Sequence, residues 1–503
     1  MSPPGETGEP RRSLLARLVG HPIATDVAII GPDGLASGAG TYGAIGARAR
    51  AIAGLLRRSR RSLEGARVAF LLPPGRSYVD ALLGILIAGG TAVPISPLYT
   101  AREIAHLISD ASPEALISSS ELAHRLEVLC EGRPLLLADR KHETPMLPDA
   151  RIPPEAPALI LYTSGTTGRP KGVVLSHASV AATLASLEEA WKWRRGDRLL
   201  HVLPLHHTHG VIVALLGSFW AGATARIVPF EAARVWELLA DATVFMAVPT
   251  MYAKLMDAFR RADDAHRAAW SSGARGLRLA TSGSASLSAS LLREFEQATG
   301  QTILERYGMT EIGMALGNPY EGPRVPGAVG VPLPGVEIDL IDEHDHACKV
   351  GEPGELRARS PQMFSGYHGD LVATEAAFDG EGRFRTGDTG VRDASGVFQL
   401  LGRTSVDVLK SGGYKLSALE IEETLRAHES IGDVAVIGVP DATWGECVTA
   451  CVVLRPGKSL ALEELRTWAK ERLAPYKVPQ ALRLLDTLPR NSMGKVQKTV
   501  LQT

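Results

Sequence analysis

Cysteine is scarce in this sequence: four residues in 503, Cys130, Cys348, Cys447 and Cys451, none in a Cys-x-x-Cys pair. That spacing argues against zinc or dithiol chemistry and leaves buried, reduced thiols. Charge of either sign is not in excess, with 54 Lys and Arg against 55 Asp and Glu. No global field therefore favours nucleic acid or an anionic membrane, and any anion must be bound locally. No apolar run is long enough to cross a bilayer, so stable membrane insertion is not expected. Arg11, Arg12 and Arg17 are followed by no apolar segment of the signal-peptide kind, and Glu6 and Glu9 weaken a transit-peptide reading. The expectation is a cytoplasmic protein, with the mitochondrial matrix as the alternative in a eukaryotic source. Repeats and low-complexity tracts are also lacking.

What is present is enough apolar residue, 45%, to build more than one core in a chain of this length. Residues 1 to about 20, rich in Pro, Gly and Arg, read as loose, with folding starting near Asp26. From there to about residue 400, strand-like runs alternate with helical patterns. Arg67–Leu72 is followed by Tyr78–Ala88 and then by Ala92–Ile95. Such alternation predicts an α/β fold with largely buried sheets. Near Leu400 the texture changes to short strands and turn glycines. A helix over Ala418–His428, strands over Asp433–Val439 and Thr449–Leu454 and a helix over Leu462–Leu473 predict a small α+β unit. The expected organisation is a large multi-sheet domain, 20–402, and a small mobile domain, 403–503.

The most informative stretch is Tyr162-Thr-Ser-Gly-Thr-Thr-Gly-Arg-Pro-Lys-Gly172, after the apolar run Ala158–Leu161. Gly165, Gly168 and Gly172 permit tight backbone whose N–H groups can converge on phosphate oxygens. Thr163, Ser164, Thr166 and Thr167 add hydroxyls and Lys171 adds charge. Lys171 is flanked by Pro170 and Gly172, so this is not a Walker A loop. Two other glycine patterns are decoys. Gly38-Ala-Gly-Thr-Tyr-Gly43 fits G-x-G-x-x-G, but its glycines do not open off a strand, and Thr41 as a helix N-cap explains it more simply. Gly457-Lys-Ser459 has Val452 where a P-loop needs glycine, and reads as a turn.

The Tyr162–Gly172 stretch resembles the signature loop of adenylate-forming enzymes, the superfamily of acyl-CoA synthetases, peptide-synthetase adenylation domains and firefly-type luciferases. Ser282-Gly-Ser-Ala285, Tyr307-Gly-Met-Thr-Glu311, Gly327–Pro332, Arg385-Thr-Gly-Asp388, Gly402-Arg403, Lys410-Ser-Gly-Gly-Tyr414 and Pro489–Lys495 follow in that family's order. The resemblance is strong over 158–500 and loose over 26–157.

It implies ATP, Mg2+ and coenzyme A as reaction partners, and it implies roles. Thr163, Ser164, Gly165, Thr166, Thr167 and Lys171 would cradle phosphates. Glu311 resembles the glutamate that holds magnesium. Ser282, Gly283, Ser284, Tyr307, Gly308 and Thr310 resemble the nucleotide-pocket wall, Asp388 the ribose-binding aspartate and Arg403 an arginine near the nucleotide. Lys495 resembles the lysine between the attacking carboxylate and the α-phosphate, an electrostatic role. Lys410, Gly412 and Gly413 would line the pantetheine path after the C-terminal domain rotates, the glycines because a thin arm passes close to backbone. The family's pivot position is Ser405 here, a departure that puts the pivot residue in doubt.

The residues around the acyl pocket suggest the acid. Glu305-Arg306 leads into Tyr307, where most of the family has small or apolar residues, and a guanidinium suits a second carboxylate better than an aliphatic tail. Together with Pro204-Leu-His-His-Thr-His-Gly210 and Arg324–Gly330, this looks like malonyl-CoA synthetases. The stretch Gly402–Glu420 looks like the branch containing the mitochondrial malonyl and methylmalonyl enzyme. The bland alternative pairs Arg306 with Glu305 or another acid. His206, His207 and His209 invite a zinc reading, disfavoured because no Asp, Glu or Cys accompanies them. His207 is expected beside the substrate carboxylate, with Thr208, Val211 and Met314 as walls. Competing functions are a short- or medium-chain monocarboxylate ligase, an adenylation enzyme loading a carrier protein, a luciferase-like oxygenase and an inactive nucleotide binder. A small carboxylic acid and CoA are the expected partners, and the state is left between monomer and homodimer.

Overall fold

The computed structural model describes residues 14–19, 26–31, 40–57, 62–140, 151–164, 170–411, 414–441, 444–490 and 496–502. A seven-stranded sheet runs in the order Gly366–Tyr367, Pro170–Ser176, Pro157–Ser164, Thr91–Ile95, Arg67–Leu71, Ala115–Ser118, Leu135–Leu137. The last five of these are parallel to one another. Their near-continuous apolar sequences follow from burial on both faces. The intervening helix Arg76–Ala88 is buried over most of its length and stops at Gly89, which takes φ 82°. Helix Ala101–Ala111 starts at a capping box between Thr100 and Glu103.

A nine-stranded sheet forms the second layer, ordered Val331–Pro332, Gly313–Gly317, Leu304–Met309, Leu279–Ser282, Val244–Ala247, Arg198–His201, Thr224–Ile227, Val27–Ile30, Gly40–Thr41. Its middle strands, from Leu304–Met309 to Val27–Ile30, are parallel. One continuous core joins the two sheets through helices Tyr42–Arg57, Arg76–Ala88 and His177–Trp191. A four-stranded antiparallel sheet, Glu337–Ile341, Gly354–Arg359, Phe384–Arg392 and Phe398–Arg403, leads to the C-terminal part. There Tyr414–Ser417, Val408–Ser411, Gly445–Leu454, Ile431–Asp441 and Ala481–Leu484 make a five-stranded sheet. Its own core includes Leu409, Ile421, Val436, Val448 and Leu465.

Two expectations need correction. Residues 14–19 are not loose: they form a helix that buries Leu14 and Leu18, one turn apart. Arg17 fastens it through a bidentate contact to Glu188 at 2.9 and 2.7 Å. The strand expected from Thr449 begins at Gly445, because Gly445 takes φ 76° and pairs with Ser411. The decoys resolve as turns and caps. Helix Tyr42–Arg57 leaves a two-residue edge strand, and Thr41 Oγ accepts the amide of Ala44 at 3.2 Å. Gly457 takes φ 76° in a turn.

Candidate active site

Strands Arg198–His201, Leu279–Ser282 and Leu304–Met309 are all parallel to Val244–Ala247 or to each other, so their carboxyl ends share one edge of the nine-stranded sheet. The segments that leave that edge are Pro204–Gly210, Gly283–Ala285 and Gly308–Glu311. Ligands in open α/β sheets bind outside such an edge.

On one side stands a charged cluster. Tyr307, buried, donates its hydroxyl to Asp388 Oδ2 at 2.6 Å. Burial and then the Asp388 charge push the Tyr307 phenol well above its ordinary range, so it stays a donor. Arg403 faces Asp388 across paired strands and places Nε 3.1 Å from Oδ1. A second Arg403 nitrogen donates to Thr386 O at 2.6 Å. Glu311 is buried and accepts the Tyr367 hydroxyl at 3.1 Å. Burial raises the Glu311 carboxyl above its usual range. Lys171 sits opposite Thr163 on the neighbouring sheet, with Nζ 4.9 Å from the Tyr367 ring centroid and 3.7 Å from Asp370. Tyr367 thus stands between the Lys171 cation and the Glu311 carboxylate.

On the other side is Arg306, 3% exposed, with Nε and Nη2 buried and without a hydrogen-bond partner among the described residues. Desolvation holds its pKa down at about 10. A Cβ at Gly283 would lie 2.4 Å from Arg306 Nη1, so the guanidinium lies against bare backbone. Glu305 is not its partner. Successive strand residues point to opposite faces, and Glu305 accepts the Gly327 amide at 2.9 Å instead. Burial pushes the Glu305 carboxyl up to about 7. His209 lies near Arg306, buried, with both ring nitrogens unpartnered among the described residues, and desolvation followed by the Arg306 charge keeps it neutral. His207 is held down at about 4 by burial, and its ring centroid is 4.1 Å from that of His206.

Residues 209–216 form a π-helix, with Val211 fully buried. Gly210 is obligatory, since a Cβ there would lie 2.1 Å from Pro204 O. Thr208 donates to Thr310 Oγ at 3.0 Å, which ties the Pro204–Gly210 segment to the strand end carrying Glu311. Met314 packs against Gly308, where a Cβ would meet its methyl at 2.5 Å. Ser282 is buried, and Ser284 takes a left-handed φ of 70° in the turn that follows.

The expected residues thus fall into two groups at one sheet edge, while Lys410 lies apart, paired with Lys415 on the five-stranded sheet. Gly165, Thr166, Thr167, Gly412, Gly413 and Lys495 lie outside the described residues, as does the side chain of Ser164. Ser405 occupies the turn between Arg403 and Val408. Among the described residues no group of three His, Cys, Asp or Glu side chains is placed to hold a metal, and no helix is long and apolar enough to cross a membrane. Sequence reasoning missed Tyr367 and Gln362, whose Oε1 accepts the Met314 amide at 3.1 Å, and weighed His209 only as a zinc ligand. His209 carried a signal: it sits one residue from Thr208 in an otherwise apolar segment.

The family profile described as AMP-binding enzyme matches residues 24–368, and that of the AMP-binding enzyme C-terminal domain matches 420–495. The chain is an AMP-binding enzyme of the acyl-CoA synthetase type. Among its relatives, the mitochondrial malonate–CoA ligase of Mus musculus is 44% identical over 488 residues, covering 87% of this chain and 82% of that protein. Among solved structures, this AMP-binding enzyme matches ATP-bound MatB from Rhodopseudomonas palustris with a TM-score of 0.88 at 34% identity, over 98% of each chain. A malonyl-CoA ligase ternary product complex with methylmalonyl-CoA and AMP matches at 0.69, also at 34% identity, over 95% of this chain and 99% of that one.

Proposed function

We propose that this AMP-binding enzyme joins malonate to coenzyme A. The malonate carboxylate attacks the α-phosphate of ATP and releases pyrophosphate. The CoA thiol then displaces AMP from the malonyl-adenylate. The observation that carries the choice of acid is Arg306. A desolvated guanidinium with two orphaned N–H groups is costly until an anion reaches it. A plain acyl tail would leave both unpaired, whereas a second carboxylate accepts them side by side. The similarity to a malonate–CoA ligase supports the same reading. Neutral His207 stands beside the reacting carboxylate, and Thr208, Val211 and Met314 wall the α-carbon, leaving methylmalonate as the second candidate.

The remaining roles are proposed on the resemblance to the family's motifs, with the contacts around Asp388 and Glu311 in support. Thr163, Ser164, Gly165, Thr166, Thr167 and Lys171 hold phosphates. Ser282, Gly283, Ser284, Tyr307, Gly308 and Thr310 border the nucleotide, and Asp388, aligned by Tyr307 and Arg403, accepts the ribose hydroxyls. Glu311 fits a hard divalent cation, because among the described residues its buried carboxylate has only a neutral hydroxyl, that of Tyr367, as hydrogen-bonding side-chain partner. Such a cation, when bound, offsets polyphosphate charge. Lys495 neutralises charge at the α-phosphate, and Lys410, Gly412 and Gly413 serve the thiol step after the unit 403–503 turns on the 20–402 domain. The lower match to the CoA-containing complex at equal identity fits such a displacement. The test is pyrophosphate release across mono- and dicarboxylic acids. Malonate should give the highest kcat/KM, and a preference for octanoate would overturn the assignment.

A further inference from the structure

Lys498 opens the final helix, Lys498–Gln502, and is buried. Its Nζ lies 2.6 Å from Asp407 Oδ1 and 2.6 Å from Glu422 Oε1. Both carboxylates are buried and fixed by further bonds. Glu422 Oε1 also accepts the Val436 amide at 2.8 Å, and Oε2 is 3.1 Å from Arg426. Asp407 Oδ2 accepts the Arg403 amide at 3.0 Å, and its carbonyl accepts the Ala418 amide at 2.7 Å. Since Arg403 in turn holds Asp388, and Asp388 holds Tyr307, charge-assisted bonds run unbroken from the nucleotide side of the site to the last helix.

Lys498 stands three residues after Lys495. Arg490 and Val496, which flank the segment carrying Lys495 in sequence, form an isolated bridge, and the Gln497 amide donates to Pro489 O at 2.9 Å. Whatever fixes Lys498 therefore fixes one end of that segment. Burying an ammonium between two carboxylates is a poor way to gain stability, since an apolar group of similar volume often does as well. What the triad supplies is direction: three charges satisfied together in one arrangement.

We propose that Lys498 is a positioning residue for adenylate formation, clasping the residues directly after Lys495 in sequence, Val496–Lys498, to the turn after Arg403 through Asp407 and Glu422. This rests on the role proposed for Lys495, and the experiment separates the two. Lys498→Met and Lys498→Arg are compared in two single-turnover assays: pyrophosphate release from ATP and malonate, and thioester formation from supplied malonyl-adenylate and CoA. Misplacing a catalytic group by about 1 Å costs on the order of 100-fold. Lys498→Met is therefore expected to lose pyrophosphate release by about that factor, with thioester formation and the KM for ATP changed less than about threefold. Lys498→Arg should recover most of the loss. Equal falls in both half-reactions, or undiminished pyrophosphate release, overturn the proposal. If Lys498→Met does not fold by urea titration, Glu422→Gln, which removes one charge at nearly constant shape, is read against the same two outcomes. Lys495→Ala is run alongside: if it keeps pyrophosphate release, the Lys495 reading fails, whereas an inactive Lys495→Ala beside a fully active Lys498→Met sinks the clasp alone.

Discussion

Replacing Arg306 by Met should move stability and activity in opposite directions. The guanidinium is 3% exposed, has no acidic partner among the described residues, and its pKa is held at about 10 against an ordinary 12.5. At 1.36 kcal/mol per pKa unit, that depression corresponds to about 3 kcal/mol by which burial disfavours the charge. Met fills the space of the aliphatic stem and needs no solvation, so the ligand-free protein should gain roughly 1–3 kcal/mol, seen as a higher urea midpoint. The same change removes the partner of the distal carboxylate, a loss of about 3–5 kcal/mol for a desolvated charge pair. The kcat/KM for malonate and methylmalonate should fall together by about two to four decades. Acetate and butyrate, which meet an unpaired guanidinium in the parent enzyme, should be activated as well or better. Pyrophosphate release over these four acids, with ligand-free urea unfolding, checks both halves. A variant less stable than its parent and uniformly impaired would refute the reasoning, because Arg306 would then be holding the fold.

Gly283→Ala places a methyl 2.4 Å from Arg306 Nη1 in a wall that cannot recede. It should cut malonate kcat/KM by about tenfold to 100-fold while leaving the fold intact by circular dichroism. Glu305→Gln tests a buried acid whose folded pKa, about 7, exceeds its unfolded value of 4.5. Its stabilising protonated form is complete below pH 4.5 and is lost as pH rises through 7. The variant should therefore match the parent near the lower value and exceed it by about 3 kcal/mol near about pH 8, measured by urea midpoint. Lys495→Ala should abolish pyrophosphate release while supplied malonyl-adenylate is still converted to thioester.

The fold class could be read from the sequence because parallel strands buried on both faces must be apolar through their buried part, as Val68–Leu71 and Ala92–Ile95 are. Motifs were legible where chemistry demands a residue type at a spacing, as around Glu311 and Asp388. Partners brought from elsewhere in the chain were not. Tyr367 is 56 residues from Glu311 and Asp407 is 91 from Lys498, and nothing local marks either pairing. The question of Glu305 against Arg306 needed only strand parity, but parity requires first knowing that Leu304–Met309 is a strand. The apolar run Val211–Leu216 offered no period, since a segment buried all round has no polar face to reveal its winding.

That winding bears on how acid preference could change over evolution. A π-helix accommodates an extra residue in a wider turn, so deleting one residue between Ile212 and Leu216 would let the segment relax to α geometry without breaking its backbone bonding. The residues before the deletion would then rotate about the helix axis relative to the sheet. Thr208, His209 and Val211 would change azimuth together against Arg306, while Tyr307, Asp388 and Glu311 stayed where they are. A single codon loss could thus reshape what the pocket accepts and reach the nucleotide side only through the Thr208–Thr310 hydrogen bond. Substitutions at individual wall positions could not separate the two so cleanly.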